Sequence, residues 1–436
     1  MKLLAYNLIF IPAFILYLPF FIWKLTRRGG FSHDFWERFG CFSQQRRQAL
    51  AALDRPVWIH AVSVGEMVAA VSFVRRWQER NPELTFVVST TTTTGHAVAT
   101  GKLPDSVVLI YSPLDWWLPV RRTLGLVRPR AVVIFEVEFW PNMILLARRR
   151  RIPVVMANGR LSDRSAEGYA RHRWFFGDLF KAFTVMCMQT EEDVHRVQSV
   201  IGKDVPAYPC NTMKFDQVPD VSGNDKSEIL DSVFGPGERV VWTAGSTHAG
   251  EEELVCDVFI ELRRKHPAAR LVLVPRHHER TADVESVLQE KGLSYRLLQP
   301  RDRPAADGVP EPVDVLVVNT TGELMDFYGA SDVVFVGKSL AGNEGGHNII
   351  EPAIFGKPII YGSNMQNFRA VAQIFRDGNG AVEVDDGQGL KEALDGLLTA
   401  PSERAALGKR ARGVVDTWRG AIDRTLDHFE PLVQAD

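Results

Sequence analysis

The sequence predicts two doubly wound α/β domains facing a cleft, with a membrane-inserted helix ahead of them. Three observations carry this. Residues Leu3 to Trp23 hold no formal charge and only one strongly polar side chain, Asn7. Two series of short Val- and Ile-rich segments follow, separated by helix-length stretches, which is the βαβ rhythm of a parallel sheet. Between the two series, Tyr208–Asn224 turns polar and rich in Pro, Gly and Asp and reads as a linker. At roughly 150 residues per domain, 436 residues suit two or three units. The expected division is an anchor at 1–24, a first α/β domain at 25–210, a second at 211–402 and a C-terminal helix at 403–436.

The apolar run comes first. Its length at about 1.5 Å per residue spans a hydrocarbon core of roughly 30 Å. A cleaved signal peptide is the weaker reading, because the run is long and no small-x-small site follows it. Pro12 and Pro19 leave insertion from one face open. Lys24, Arg27 and Arg28 outnumber Lys2 in front, which places the rest of the chain on the cytoplasmic side.

In the first series, Val57–Ala61, Thr85–Ser89, Val107–Tyr111, Ala131–Phe135 and Val154–Ala157 read as strands. In the second they are Val240–Ala244, Arg270–Pro275, Val313–Val318, Val333–Val336 and Pro358–Tyr361. Gln299–Pro312, with four prolines, reads as an exposed loop. Ligands of such sheets bind beyond the carboxyl ends of the strands, so the following loops are the candidates for chemistry.

Composition narrows that chemistry. Fifty-one basic against fifty-three acidic side chains leave no global field for nucleic acid. Cys41, Cys187, Cys210 and Cys256 are isolated, which disfavours a disulfide scaffold or zinc ribbon and fits a reducing compartment. HExxH is absent, and Gly95 to Lys102 lacks the spacing and the Ser/Thr of a P-loop.

In WIHAVSVGEMVAA, Glu66 falls near a helix start, where the partial positive charge favours a carboxylate that can act as a base. It can equally be a first-turn glutamate supporting its own helix. FEVEFWPN puts Glu136 and Glu138 in an apolar setting, costly unless they are functional or paired, for instance with Arg160 or Arg164. The run Arg148–Arg151 closes the next helix; beside an anchor it can meet lipid phosphates.

Three loops of the second half are of phosphate-binding type. GSTHAGEEE supplies Ser246 and His248, PRHHER supplies Arg276 and His277, and GNEGGHNIIEP supplies His347 ahead of an expected helix start at His347–Asn348. There is no GxGxxG after the first strand and no Asp-x-Asp. A nucleotide-sugar site here is expected to use side chains and a helix end, with no metal and no cofactor.

Together these strings resemble the bacterial Kdo transferases, which move 3-deoxy-D-manno-oct-2-ulosonic acid (Kdo) from CMP-Kdo onto a lipid A precursor. The resemblance rests on FWERFG, HAVSVGE, TTTTTGH, FEVEFWPN, NGRLSDRS, MKFD, GSTHAGEEE, PRHHER, TTGEL, FVGKSL and GGHNIIEP, in order along nearly the whole chain. It implies the two-domain GT-B glycosyltransferase fold, inverting transfer to lipid IVA in lipopolysaccharide core synthesis, and an inner-membrane enzyme facing the cytoplasm. It implies Glu66 as the base, with Glu136 and Lys214 near the reacting centre. For the CMP moiety it implies Pro275, Arg276, Thr321, Gly322, Glu323, Asn348, Ile349, Ile350 and Glu351, which join Ser246, His277 and His347 of the phosphate-type loops. This chain departs from the family in having Cys210 in PCNT where a glycine is usual, and Lys338 in place of a small residue. The alternatives are a UDP-sugar transferase or epimerase on the same fold, and a membrane-tethered nucleotide-binding protein without turnover.

Overall fold

The computed structural model describes residues 2–27, 33–202, 205–217, 226–298, 311–320 and 322–434. The chain forms two compact units, Met1–Gln217 with Arg419–Asp436, and Val218–Trp418.

The first unit carries a parallel sheet of seven strands: β1 (Val57–His60), β2 (Phe86–Thr90), β3 (Val108–Tyr111), β4 (Ala131–Phe135), β5 (Val154–Gly159), β6 (Val185–Met188) and β7 (Ala207–Pro209). Their order is β3-β2-β1-β4-β5-β6-β7. Every residue of β1, β2, β4, β5 and β6 is buried, as expected when helices cover both faces, and the strands are apolar until their carboxyl ends, where His60, Ser89, Thr90 and Asn158 stand. The strand order reverses between β1 and β4, where His60 stands beside Ile134.

The second unit repeats the plan with β8 (Val240–Thr247), β9 (Ala269–Pro275), β10 (Tyr295–Leu297), β11 (Val315–Val317), β12 (Val333–Val336), β13 (Ile359–Gly362) and β14 (Val382–Val384). Their order is β10-β11-β9-β8-β12-β13-β14, also parallel, and it reverses between β8 and β12. All ten expected strands are found at slightly shifted ends, and β6, β7, β10 and β14 are added.

The expected C-terminal helix is two helices, Pro401–Trp418 and Ala421–Gln434. They part at Gly420, whose φ of +83° suits glycine. The first belongs to the second unit and the last to the first unit. Asp216 holds the start of the last helix by accepting from the backbone N–H groups of Gly420 and Ile422, both at 2.7 Å. Arg76 and Arg80 of helix Val64–Arg80 then pair with Asp423, Asp427 and Glu430, and Phe429 packs against Phe73 and Trp77. The boundary therefore lies at Gln217/Val218 rather than 210/211, and the tail is divided between the units.

The N-terminal helix runs Lys2–Arg27, through both prolines. Its first two turns are docked on the first unit. Lys2 Nζ donates to Trp174 O and to Asp178 (2.7 Å), Tyr6 Oη to Asp115 (3.0 Å), and Asn7 Nδ2 to Asn142 Oδ1 (2.9 Å). Asn7 Oδ1 accepts from Trp117 N at 3.0 Å, so the one polar residue of the run is a docking residue. Beyond it Leu8, Ile9, Ile11, Ile15, Leu16, Phe20 and Trp23 are exposed. The sixteen residues Leu8–Trp23 reach about 24 Å, short of a core of roughly 30 Å. Among the described residues no helix is long and apolar enough to cross a membrane.

Candidate active site

The carboxyl ends of β1 and β4, at the first reversal, carry an acidic cluster. Ser63 caps helix Val64–Arg80, its Oγ accepting from Glu66 N at 3.2 Å. Glu66 answers by accepting from Val62 N (2.8 Å) and Ser63 N (3.2 Å), a complete capping box. The helix-supporting reading of Glu66 is thus realised, and it fixes the carboxylate without consuming it: each oxygen keeps a lone pair. The side chain is 6 % exposed.

Glu136 follows β4 with a φ of +56°, a left-handed conformation that costs a β-carbon residue and often marks function. Burial and the neighbouring Glu66 push its carboxyl up, while Lys214 and Arg160 pull it back. Glu138 is pushed up to about 7 by burial, Glu66 and Glu136. The ammonium of Lys214 is lowered by burial and supported by Glu136. Its segment is held by Asn158 Oδ1, which accepts from Met213 N at 3.0 Å, and by the Thr212 cap. Asn211 there has a φ of +68°, which asparagine tolerates; the buried Cys210 beside it belongs to the core. Glu66, Glu136 and Lys214 are thereby brought together, with Glu138 and Arg160 as members the motif roles left unassigned.

At the second reversal the cluster is cationic. His248, after β8, and His347 meet through their Nε2 atoms at 3.1 Å with rings stacked, and His277 lies edge-on to His248. Burial lowers His248 to about 4 and His347 to about 3, helped by Lys338 and Arg276. Both rings are neutral at pH 7, and with Arg276 and Lys338 near them they form a surround suited to an anion; Arg280 is already held by the buried Glu252 at 2.8 Å.

Glu251 builds this cluster. Fully buried, it accepts from His248 N (3.0 Å) and Lys338 N (2.7 Å) through Oε2 and from Ser339 N (2.8 Å) and Leu340 N (3.0 Å) through Oε1. Burial pushes its carboxyl up and these four bonds pull it back. A β-carbon on Gly337 would stand 2.9 Å from that carboxylate and 2.8 Å from Ser246 O, so the clamp requires glycine there. Lys338 takes a φ of +59°, a left-handed conformation that costs a residue with a β-carbon. Ser246 is also left-handed, at +56°. The sequence marks Glu251 only as one of three acids opening a helix.

The other expected donor residues divide. Pro275 ends β9, and Arg276, exposed, ties its N–H to Thr247 O at 3.0 Å and lies near His347 and Glu351. Asn348 donates to Glu351 (3.3 Å) and accepts from Ile350 N (3.2 Å). The expected helix start at His347–Asn348 is corrected to Ile350, in a helix of four residues that offers little dipole. Ile349 and Ile350 are fully buried, so neither offers a ligand an open surface. Glu323 pairs with Lys226 (3.0 Å) and Thr320; burial pushes it up, but those bonds hold it below the ordinary value. These bonds do not join it to the histidine cluster. Gly322 precedes it with a φ of +93°, and Thr321 lies outside the described residues.

Two doubly wound parallel sheets in one chain, with acids at the reversal of one and cations at that of the other, have the GT-B fold. A glycosyltransferase from Rickettsia africae shares the fold, with a TM-score of 0.56 and 10 % identity over 88 % of this chain and 100 % of its own. The family described as 3-deoxy-D-manno-octulosonic-acid transferase (kdotransferase) matches residues 33–217. The 3-deoxy-D-manno-octulosonic acid transferase of Haemophilus influenzae is 31 % identical over 404 residues, 91 % of each chain. That of Bordetella pertussis is 31 % identical over 429 residues, 94 % of each. The chain belongs to the Kdo transferase family.

Proposed function

We propose that this enzyme transfers Kdo from CMP-Kdo to lipid IVA with inversion at the anomeric carbon, in lipopolysaccharide core synthesis. The observation that carries the reading is Glu66, fixed at the reversal of the first sheet with Glu136 as its charged neighbour and Lys214 beside Glu136. The acceptor hydroxyl gives its proton to Glu66 and its oxygen bonds the anomeric carbon. The bond from that carbon to the cytidylate oxygen breaks, and the electron pair leaves with CMP. Lys214 and Glu136 stabilise the reacting centre, and Arg276, Lys338 and the neutral histidine pair hold the phosphate. Side chains rather than a metal balance the charge in this account, and such prearranged groups commonly supply the largest part of a rate enhancement.

The N-terminal helix keeps the enzyme on the cytoplasmic face of the inner membrane, which raises the effective concentration of a lipid acceptor. Support comes from its exposed apolar side chains, among them Leu8, Ile9, Ile15, Leu16, Phe20 and Trp23.

Glu66→Gln is the test closest in shape: the glutamine oxygen can still accept from Ser63 N and keep the capping box, at the cost of the bond from Val62 N. Transfer is expected to fall by about 10²–10⁴ with CMP-Kdo affinity retained; equal turnover removes Glu66 from the chemistry. Mass spectrometry of the lipid product reports donor, acceptor and number of additions together.

A further inference from the structure

A groove of about 790 Å³ opens where the N-terminal helix meets the first unit, lined by Lys2, Leu3, Leu145, Arg148, Arg149, Asp178 and Lys181. Four of these residues are cationic and one is acidic. Asp178 is already engaged by Lys2 at 2.7 Å, which leaves the lining positive on balance. Arg148 and Lys181 are held side by side, because Arg148 donates to the backbone oxygen of Lys181. Leu3, 7 % exposed, and Leu145 form an apolar floor.

A basic helix end is ordinarily a solvated one. Two features separate this one. It is a concave site rather than a convex helix tip, and it adjoins the exposed apolar side chains that begin at Leu4 and Leu8. Trp174, whose carbonyl receives Lys2, is 65 % exposed, and tryptophan favours the headgroup level of a bilayer. We infer that this groove binds the phosphodiester headgroup of an anionic phospholipid of the bulk bilayer, while the apolar side of the N-terminal helix enters the acyl region. The inference rests on reading that helix as membrane-inserted. Each cation near an anionic surface adds attraction that fades within a Debye length, so salt weakens the contact.

The test is co-sedimentation of the full chain with vesicles, one set zwitterionic and one containing anionic phospholipid, both without acceptor lipid. The expected result is at least tenfold tighter binding to the anionic set, lost in Arg149→Gln/Lys181→Gln. Arg149→Gln alone keeps the test open should the double variant fold poorly. The control Lys102→Gln/Lys409→Gln removes the same charge elsewhere and is expected to keep the preference. Equal binding of the wild type to both sets overturns the groove and leaves the inserted helix standing. Equal loss of the preference in the control also overturns it, since net charge then suffices. Binding to neither set overturns the helix reading, and the groove with it.

Discussion

Replacing Glu251 by glutamine perturbs one buried group and leaves its shape alone. Each carboxylate oxygen serves two backbone N–H groups, from His248 and Lys338 on one side and Ser339 and Leu340 on the other. In glutamine one oxygen becomes an NH₂. Whichever way the amide turns, two N–H groups lose their acceptor and confront a donor. A buried donor left unmet costs about 1–3 kcal/mol, so the second unit should lose about 2–6 kcal/mol. Urea titration by circular dichroism measures this as a lower midpoint at unchanged slope. Because His248 and Lys338 hang on the same carboxylate, CMP affinity by calorimetry should fall as well. A loss under about 1 kcal/mol with CMP affinity intact refutes the clamp, since the two loops would then hold each other without it.

Arg276→Ala should weaken CMP-Kdo binding by about tenfold or more, as loss of a charge-assisted contact implies; unchanged affinity by calorimetry rejects that role. His248 and His347 should make the second unit acid-sensitive. Their folded values, about 4 and about 3, lie below the ordinary histidine value, so the unfolded chain binds protons first. The stability they preserve is complete above about 6.5 and drains away as pH falls toward 4. A urea midpoint equal at pH 7.5 and pH 5 contradicts this. Asp115→Ala removes a buried acceptor of Asn142 N (3.1 Å), Met143 N (3.0 Å) and Tyr6 Oη (3.0 Å). It should cost the first unit about 2–5 kcal/mol and speed proteolysis near the N-terminal helix; an unchanged digestion rate argues against that docking.

The sheets were legible because their central strands are buried on both faces and written in Val and Ile. Strands β6 (VMCM), β7 (AYP), β10 (YRL) and β14 (VEV) were not. Two of these are Met-, Cys- or Pro-bearing, and β7, β10 and β14 have only three residues each, too few for any period to show. The loops carrying Glu66, Glu136 and the histidines could be placed because each follows a readable strand. Glu251 could not, since a glutamate in a first helical turn is commonplace and its four partners come from two loops far apart in the chain. The dual use of Asn7 was equally hidden: inside an apolar run it reads as an imperfection, and only its partners Asn142 and Trp117 make it a fastening.

The return of helix Ala421–Gln434 to the first unit has a consequence for synthesis on the ribosome. Residues 218–418 emerge as one continuous stretch and can close their own sheet while translation proceeds. The opening half must wait with the surface of Phe73 and Trp77 uncovered until Phe429 has left the exit tunnel. The part made first is completed last, and a stop codon just after Trp418 would spare the middle of the protein while stranding its beginning.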